Sequence, residues 1–201
     1  MAEPDNPHLL SFEDVARDFL KRWQKDLEKE EEWYGLRPKT LDEAIERAAL
    51  SQIPSGRGGR VIKHSHQRRL PNAVLSEAQR HLLSRKDEIG SCQTFEELFN
   101  LVEGTVLHIP GAGELLVYDI AQRLGIYLKL NPKLVYLHRS ARIGATSLGI
   151  EGRSRAVPLE NFPPALAGLG SYRLEDVLCI YRLALARIAA GISSAPPKSR
   201  C

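Results

Sequence analysis

Seven cationic or imidazole side chains fall within thirteen residues: Arg57, Arg60, Lys63, His64, His66, Arg68 and Arg69. Lys and Arg at this density pair with phosphates and release the counterions that surround a nucleic acid. The histidines add a second kind of chemistry. Spaced i, i+2, His64 and His66 could share a metal ion. Either of them, like His138, could instead move a proton as general acid or base in a nuclease. No neighbouring carboxylate or cysteine completes a ligand set, and the flanking charges are positive, which repels a cation. The expectation is a phosphate-facing loop with Arg60, Lys63, His64, His66, Arg68 and Arg69 as contacts, and with no metal and no cofactor.

A second segment, Ile109-Pro110-Gly111-Ala112-Gly113, lies between two amphipathic stretches. Its glycines permit a tight reversal, with a positive φ expected at Gly113. The amides of Gly111, Ala112, Gly113 and of the next turn, Glu114 and Leu115, are then expected to face outward. Free amides at a helix N-terminus attract an anion. Phosphate contacts of this kind hold the nucleic-acid backbone and read no sequence. His138, Arg139 and Arg142 are candidates for a second phosphate beside this turn. A buried His138 flanked by surface arginines is the competing expectation.

The order apolar-Pro-Gly-apolar-Gly, then a helix, resembles the hairpin of the helix-hairpin-helix DNA-binding family. Downstream, Val135-Tyr136-Leu137-His138-Arg139 leads to Ile143-Gly144 and Leu148-Gly149. That stretch is similar to the helix-hairpin-helix DNA glycosylases, where a Val-Asp-Thr-His segment and an Arg-rich helix follow the hairpin. The likeness covers roughly residues 94–150. It implies an orthogonal helical bundle that holds DNA. The catalytic Asp of those enzymes falls at Tyr136, and the Lys of their bifunctional members at Leu115. Neither residue can stabilise a cationic sugar or form a Schiff base with it. No Asp lies between Asp119 and Asp176, so no acid is expected near the matching segment. The resemblance therefore implies the scaffold and argues against base excision.

The elements that must position these groups read as helices. Ser11 is a potential N-cap, followed at helical spacing by Phe12, Val15, Phe19, Trp23 and Leu27. Thr40 with Glu43, and Thr94 with Glu97, are capping boxes that open helices near residues 41–50 and from 94. Further helices are expected over 72–85 and 114–128. Asn131-Pro132 reads as a helix start, with a stripe through Leu134, Leu137, Ala141, Ala145 and Leu148. Arg139 lies opposite that stripe, and Val135, Tyr136 and Ile143 fall off it. Residues 151–171 read as a long loop and 174–192 as one helix, apolar nearly all round and central in the core. Asp119 reads as a helix-surface residue. The expected class is all-α, without strands. Its parts are an acidic N-terminal tail and helix (1–35), a helical domain (36–192) and a C-terminal tail (193–201). The helical domain carries the basic loop 54–71 and the helix-hairpin-helix 94–128.

The chain has 201 residues, 43% of them hydrophobic and 26% charged, which excludes wholesale disorder. No charge-free apolar run is long enough to span a bilayer, and the acidic N-terminus lacks the apolar core of a secretory signal. Cys92, Cys179 and Cys201 are too few and too scattered for a disulfide framework, so a reduced, cytoplasmic compartment is expected. Residues 1–50 hold 8 Lys/Arg against 13 Asp/Glu, whereas the whole chain carries a net +3. The basic body suits a polyanion and the acidic first helix suits a protein partner. The leading expectation is a small, non-catalytic DNA-binding protein of bacterial style with little sequence preference. The alternatives are a nuclease-like or glycosylase-like enzyme using the His-rich loop, and a protein-interaction module with a structural hairpin.

Overall fold

The structure is a computed structural model that describes residues 8–55 and 60–192. Most of the expected N-terminal tail, the C-terminal tail 193–201, and Gly56, Arg57, Gly58 and Gly59 of the basic loop lie outside the described residues. In chain order, α1 (Phe12–Glu31) runs into a π-helical turn (Glu32–Leu36), then α2 (Leu41–Ala49). A short hairpin of β1 (Gln52–Pro54) and β2 (Val61–Lys63) leads to a 3-10 turn (Ser65–Gln67). Next come α3 (Asn72–Ser84), α4 (Lys86–Ser91), α5 (Phe95–Val106) and α6 (Glu114–Leu128). The remainder is β3 (Leu134–Tyr136), α7 (Arg139–Ser147), β4 (Ala156–Pro158), a 3-10 turn (Leu159–Asn161), α8 (Pro164–Ala167), α9 (Ser171–Ile180) and α10 (Arg182–Ala189).

The chain is mostly helical, and the helix starts follow their caps. Thr40 Oγ1 accepts from Glu43 N at 3.2 Å. Thr94 and Glu97 form a complete capping box, the Glu97 carboxylate returning to the Thr94 amide. Such reciprocal bonds satisfy amides that a helix start leaves without an internal partner.

Two compact units divide the chain. One is Lys25–Pro132; the other joins Met1–Gln24 to Lys133–Cys201. In Lys25–Pro132, α6 is central: α5, α2 and the π-helical turn pack on it, burying Leu116, Val117, Ile120, Ala121 and Leu124. α6 requires a glycine at 125, because a Cβ there would come within 2.7 Å of the Leu130 carbonyl oxygen. In the other unit, α7, α9 and α10 pack together, and β3 lies on α9. The first turns of α1 add Val15 and Phe19 to that core, where Phe19 meets the ring of Tyr181 edge-on.

Four expectations are corrected. The class is mainly α rather than purely so, since two antiparallel pairs form: Ile53 opposite Ile62, and Val135 opposite Val157. The helix expected from Asn131-Pro132 is instead β3, an extended link and α7 with His138 as its N-cap. Val135 and Tyr136, two of the three residues that fell off the helical stripe, are buried neighbours in β3, whereas Ile143 is exposed on α7. The expected terminal helix breaks at Tyr181 (φ −107°, ψ 18°), whose ring is fully buried and whose hydroxyl donates to Asp18 Oδ2 at 2.8 Å. Its second half buries Ala184 and Leu185 on one face and leaves Leu183 exposed on another, so it is not buried all round. The loop expected over 151–171 likewise carries β4, a 3-10 turn and α8.

Candidate nucleic-acid interface

The described part of the basic loop, residues 60–71, is structured and docked. β2 carries it into the 3-10 turn, where His64 is the N-cap and its Nδ1 accepts from His66 N at 3.3 Å. Lys63 Nζ donates to Leu70 O at 2.7 Å and closes the loop on itself. Gln67 is buried and its Nε2 donates to Asp119 Oδ2 at 2.7 Å, so the turn is held to the second turn of α6. Arg60, Arg68 and Arg69 remain exposed.

Asp119 is not the helix-surface residue expected; it is buried. Arg123, one helical turn on, donates to its Oδ2 at 3.2 Å, and to Ser51 Oγ and Ala48 O at 2.9 and 3.2 Å. Burial works to raise the Asp119 pKa. The Arg123 charge and the hydrogen bonds of His66 and Gln67 outweigh it, and the carboxyl sits well below its ordinary range. Around this ion pair, His66 Nδ1 lies 3.7 Å from Asp119 Oδ2, and the rings of His64 and His66 meet edge-on. His64 Nε2 faces Glu30 Oε1 at 3.2 Å. Arg123 also lies over the Tyr34 ring, and burial pushes the Tyr34 hydroxyl up to about 12. A carboxylate thus does join the two histidines, from 53 positions beyond His66, where no local pattern points to it.

The turn between α5 and α6 carries the other candidates. Ala112 N donates to Ile109 O at 2.9 Å, and Leu116 N and Val117 N both return to Gly113 O. Gly113 is the N-cap of α6 and brings no side chain to accept from the first-turn amides. The positive φ expected at Gly113 belongs to Gly111 (φ 92°); Gly113 is extended at φ −136° with open space around its α-carbon. Gly111, Gly113 and Glu114 are exposed, while Ala112 and Leu115 are half-buried. A Cβ built on Gly111 would lie 3.2 Å from Val74 Cγ2, in the first turn of α3. The basic loop ends just before that turn. The two segments, forty residues apart in sequence, are therefore neighbours, through Val74 at one end and Gln67 at the other. His108 in the same turn meets the ring of His81 edge-on. Sequence reasoning overlooked both, since each is a lone histidine in its own segment.

His138, Arg139 and Arg142 belong to the other unit. His138 is buried; its Nδ1 accepts from Ser140 N at 3.3 Å, and its Nε2 is hydrogen-bonded to Glu175 Oε1. That carboxylate corrects the expectation that no acid lies near the glycosylase-like segment: Glu175 reaches it from α9. Arg142 Nη2 donates to Leu137 O at 2.8 Å, and Arg139 is exposed at the start of α7. Burial pushes the nearby Cys179 thiol up to about 11, which disfavours a thiolate nucleophile at neutral pH. Much of the acidic charge on α1 is paired within the helix: Asp14 with Arg17, Asp18 with Arg22, and Asp26 with Lys29.

Comparison of the chain with protein-family models, curated proteins and solved structures finds no match. No described helix is long and apolar enough to cross a membrane.

Proposed function

We propose that this protein binds the phosphate backbone of DNA, with little sequence preference, through one face of Lys25–Pro132. The observation that carries this reading is the adjacency of two segments far apart in sequence. The exposed Arg68 and Arg69 leave a turn anchored on α6 by Gln67, and the Gly111–Glu114 turn opens the same helix. Exposed cations and a glycine-capped helix start, both tied to α6, suit successive phosphates. The test is a titration of duplex DNA at several salt concentrations. Affinity should fall with a log–log slope of roughly −0.9 per neutralised phosphate. Arg68→Ala with Arg69→Ala should flatten the slope by about one to two units. Absence of binding at low salt, or an unchanged slope in the double variant, would contradict the proposal.

One observation favours a second reading, a nucleic-acid-processing enzyme. His66 and His64 stand beside a buried carboxylate on this same face, which is the material for proton transfer. Conversion of DNA to product in the presence of a divalent cation, abolished in His66→Gln, would select it.

A further inference from the structure

The cluster beneath the basic loop combines residue types that a metal ion takes together. One ligand atom each from His64, His66 and Asp119 lies within 4.8 Å of the other two. Two imidazoles and a carboxylate form a donor set of borderline character, suited to zinc and its neighbours rather than to magnesium or calcium. We propose that His64, His66 and Asp119 bind one divalent transition-metal ion of the zinc class, which staples the basic loop to α6. This goes beyond DNA binding and does not depend on it.

The surroundings agree with that assignment. A metal-bound histidine commonly donates its other ring N–H to a carboxylate, which fixes the ring and raises its basicity. Glu30 stands at His64 Nε2 for that role, leaving Nδ1 to the metal at the cost of a long 3.3 Å contact with His66 N. Gln67 and Arg123 both donate to Asp119 Oδ2 and occupy the two lone pairs of that oxygen, so Oδ1 is the oxygen left to take a cation. The charges balance in the same direction. Asp119 and Glu30 contribute two negative charges and Arg123 one positive, while a ligating histidine is neutral. A dication therefore enters a site of net negative charge, despite the exposed arginines of the loop above it.

The geometry needs only a small adjustment. A tetrahedral ion with bonds of about 2.0–2.1 Å holds its donors roughly 3.4 Å apart. His66 Nδ1 lies 3.7 Å from Asp119 Oδ2, so the ring and the carboxylate already stand at nearly that separation. The His64 ring closes the remaining distance on loading. Three protein donors leave a fourth position for water or a phosphate oxygen, as in zinc sites that act on ligands. The His66 side chain is 23% exposed, so solvent reaches the cluster on the His66 side.

The 201-residue chain is titrated with Zn²⁺ against a chromophoric chelator and, separately, with Co²⁺, whose visible absorption reports the number and kind of donors. No DNA is present, so failure here and failure of the DNA-binding proposal are separate results. The expected outcome is one ion per chain. His64→Gln and His66→Gln should each weaken binding by more than about tenfold with an unchanged far-ultraviolet circular dichroism spectrum. Zn²⁺ should raise the melting temperature of the native chain but not that of His66→Gln. The double variant His81→Gln, His108→Gln should bind as the native chain does. No stoichiometric binding, native-like binding by both His64→Gln and His66→Gln, or loss that follows His81 and His108 would each overturn the proposal.

Discussion

His64 and His138 begin their helical turns in the same way. Each accepts an amide hydrogen at Nδ1 from the residue two positions on, and each turns Nε2 toward a glutamate, Glu30 or Glu175. Their surroundings then diverge. The side chains of His138 and Glu175 are both 5% exposed and lie in the core of their unit, whereas His64 and Glu30 are 14% and 21% exposed. Beside His64 stand a second histidine and a buried aspartate. The same local device therefore serves two ends. Sealed, it satisfies a buried imidazole and fixes the start of α7. Partly open and beside further donors, it can take a ligand.

The sharpest way to break this comparison is to remove each histidine. His138→Ala leaves the Glu175 carboxylate buried without its partner, which should cost about 3–5 kcal/mol. His64→Ala leaves Glu30 in reach of water and should cost about 1–2 kcal/mol. Denaturant unfolding at matched m-values checks both. Equal losses would mean that the two sites do not differ in the way their exposure implies.

The two turn glycines extend the comparison to the backbone. Gly111→Ala forces a side chain into the left-handed region and against Val74, at a cost of about 1–3 kcal/mol. Gly113 is extended and open, so Gly113→Ala loses only N-cap preference and should cost about 0.5–1 kcal/mol. The same unfolding measurement ranks them, and the reverse order would contradict the described turn.

Local signals in the sequence were legible and distant ones were not. The Thr94–Glu97 capping box needs only four residues, and it forms as written. The span 131–148 misled because β3 depends on Ala156–Pro158, some twenty residues on, while the sequence alone offers a helical stripe. The breakdown of that stripe at Val135 and Tyr136 was the available clue. Asp119 read as surface because Gln67, its partner, and Ser51, which holds the adjacent Arg123, reach α6 only in the fold. The candidate loop and turn were each legible as segments; their adjacency through Val74 and Asp119 was not.

The smallest expected effect on stability belongs to the arginines. Arg68→Ala and Arg69→Ala are exposed changes that should each alter stability by no more than about 0.5 kcal/mol. Any loss of DNA affinity they cause is then a loss of contact rather than of fold.

The most direct measurement is an amide NMR titration of the full chain with a short duplex at low salt. If the basic loop and the α5–α6 turn form the interface, shifts should concentrate at residues 60–71 and 107–116. They should leave the Arg139–Arg142 segment of the other unit unmoved. Shifts centred on Arg139–Arg142, or none at all with the protein folded, would contradict the central claim.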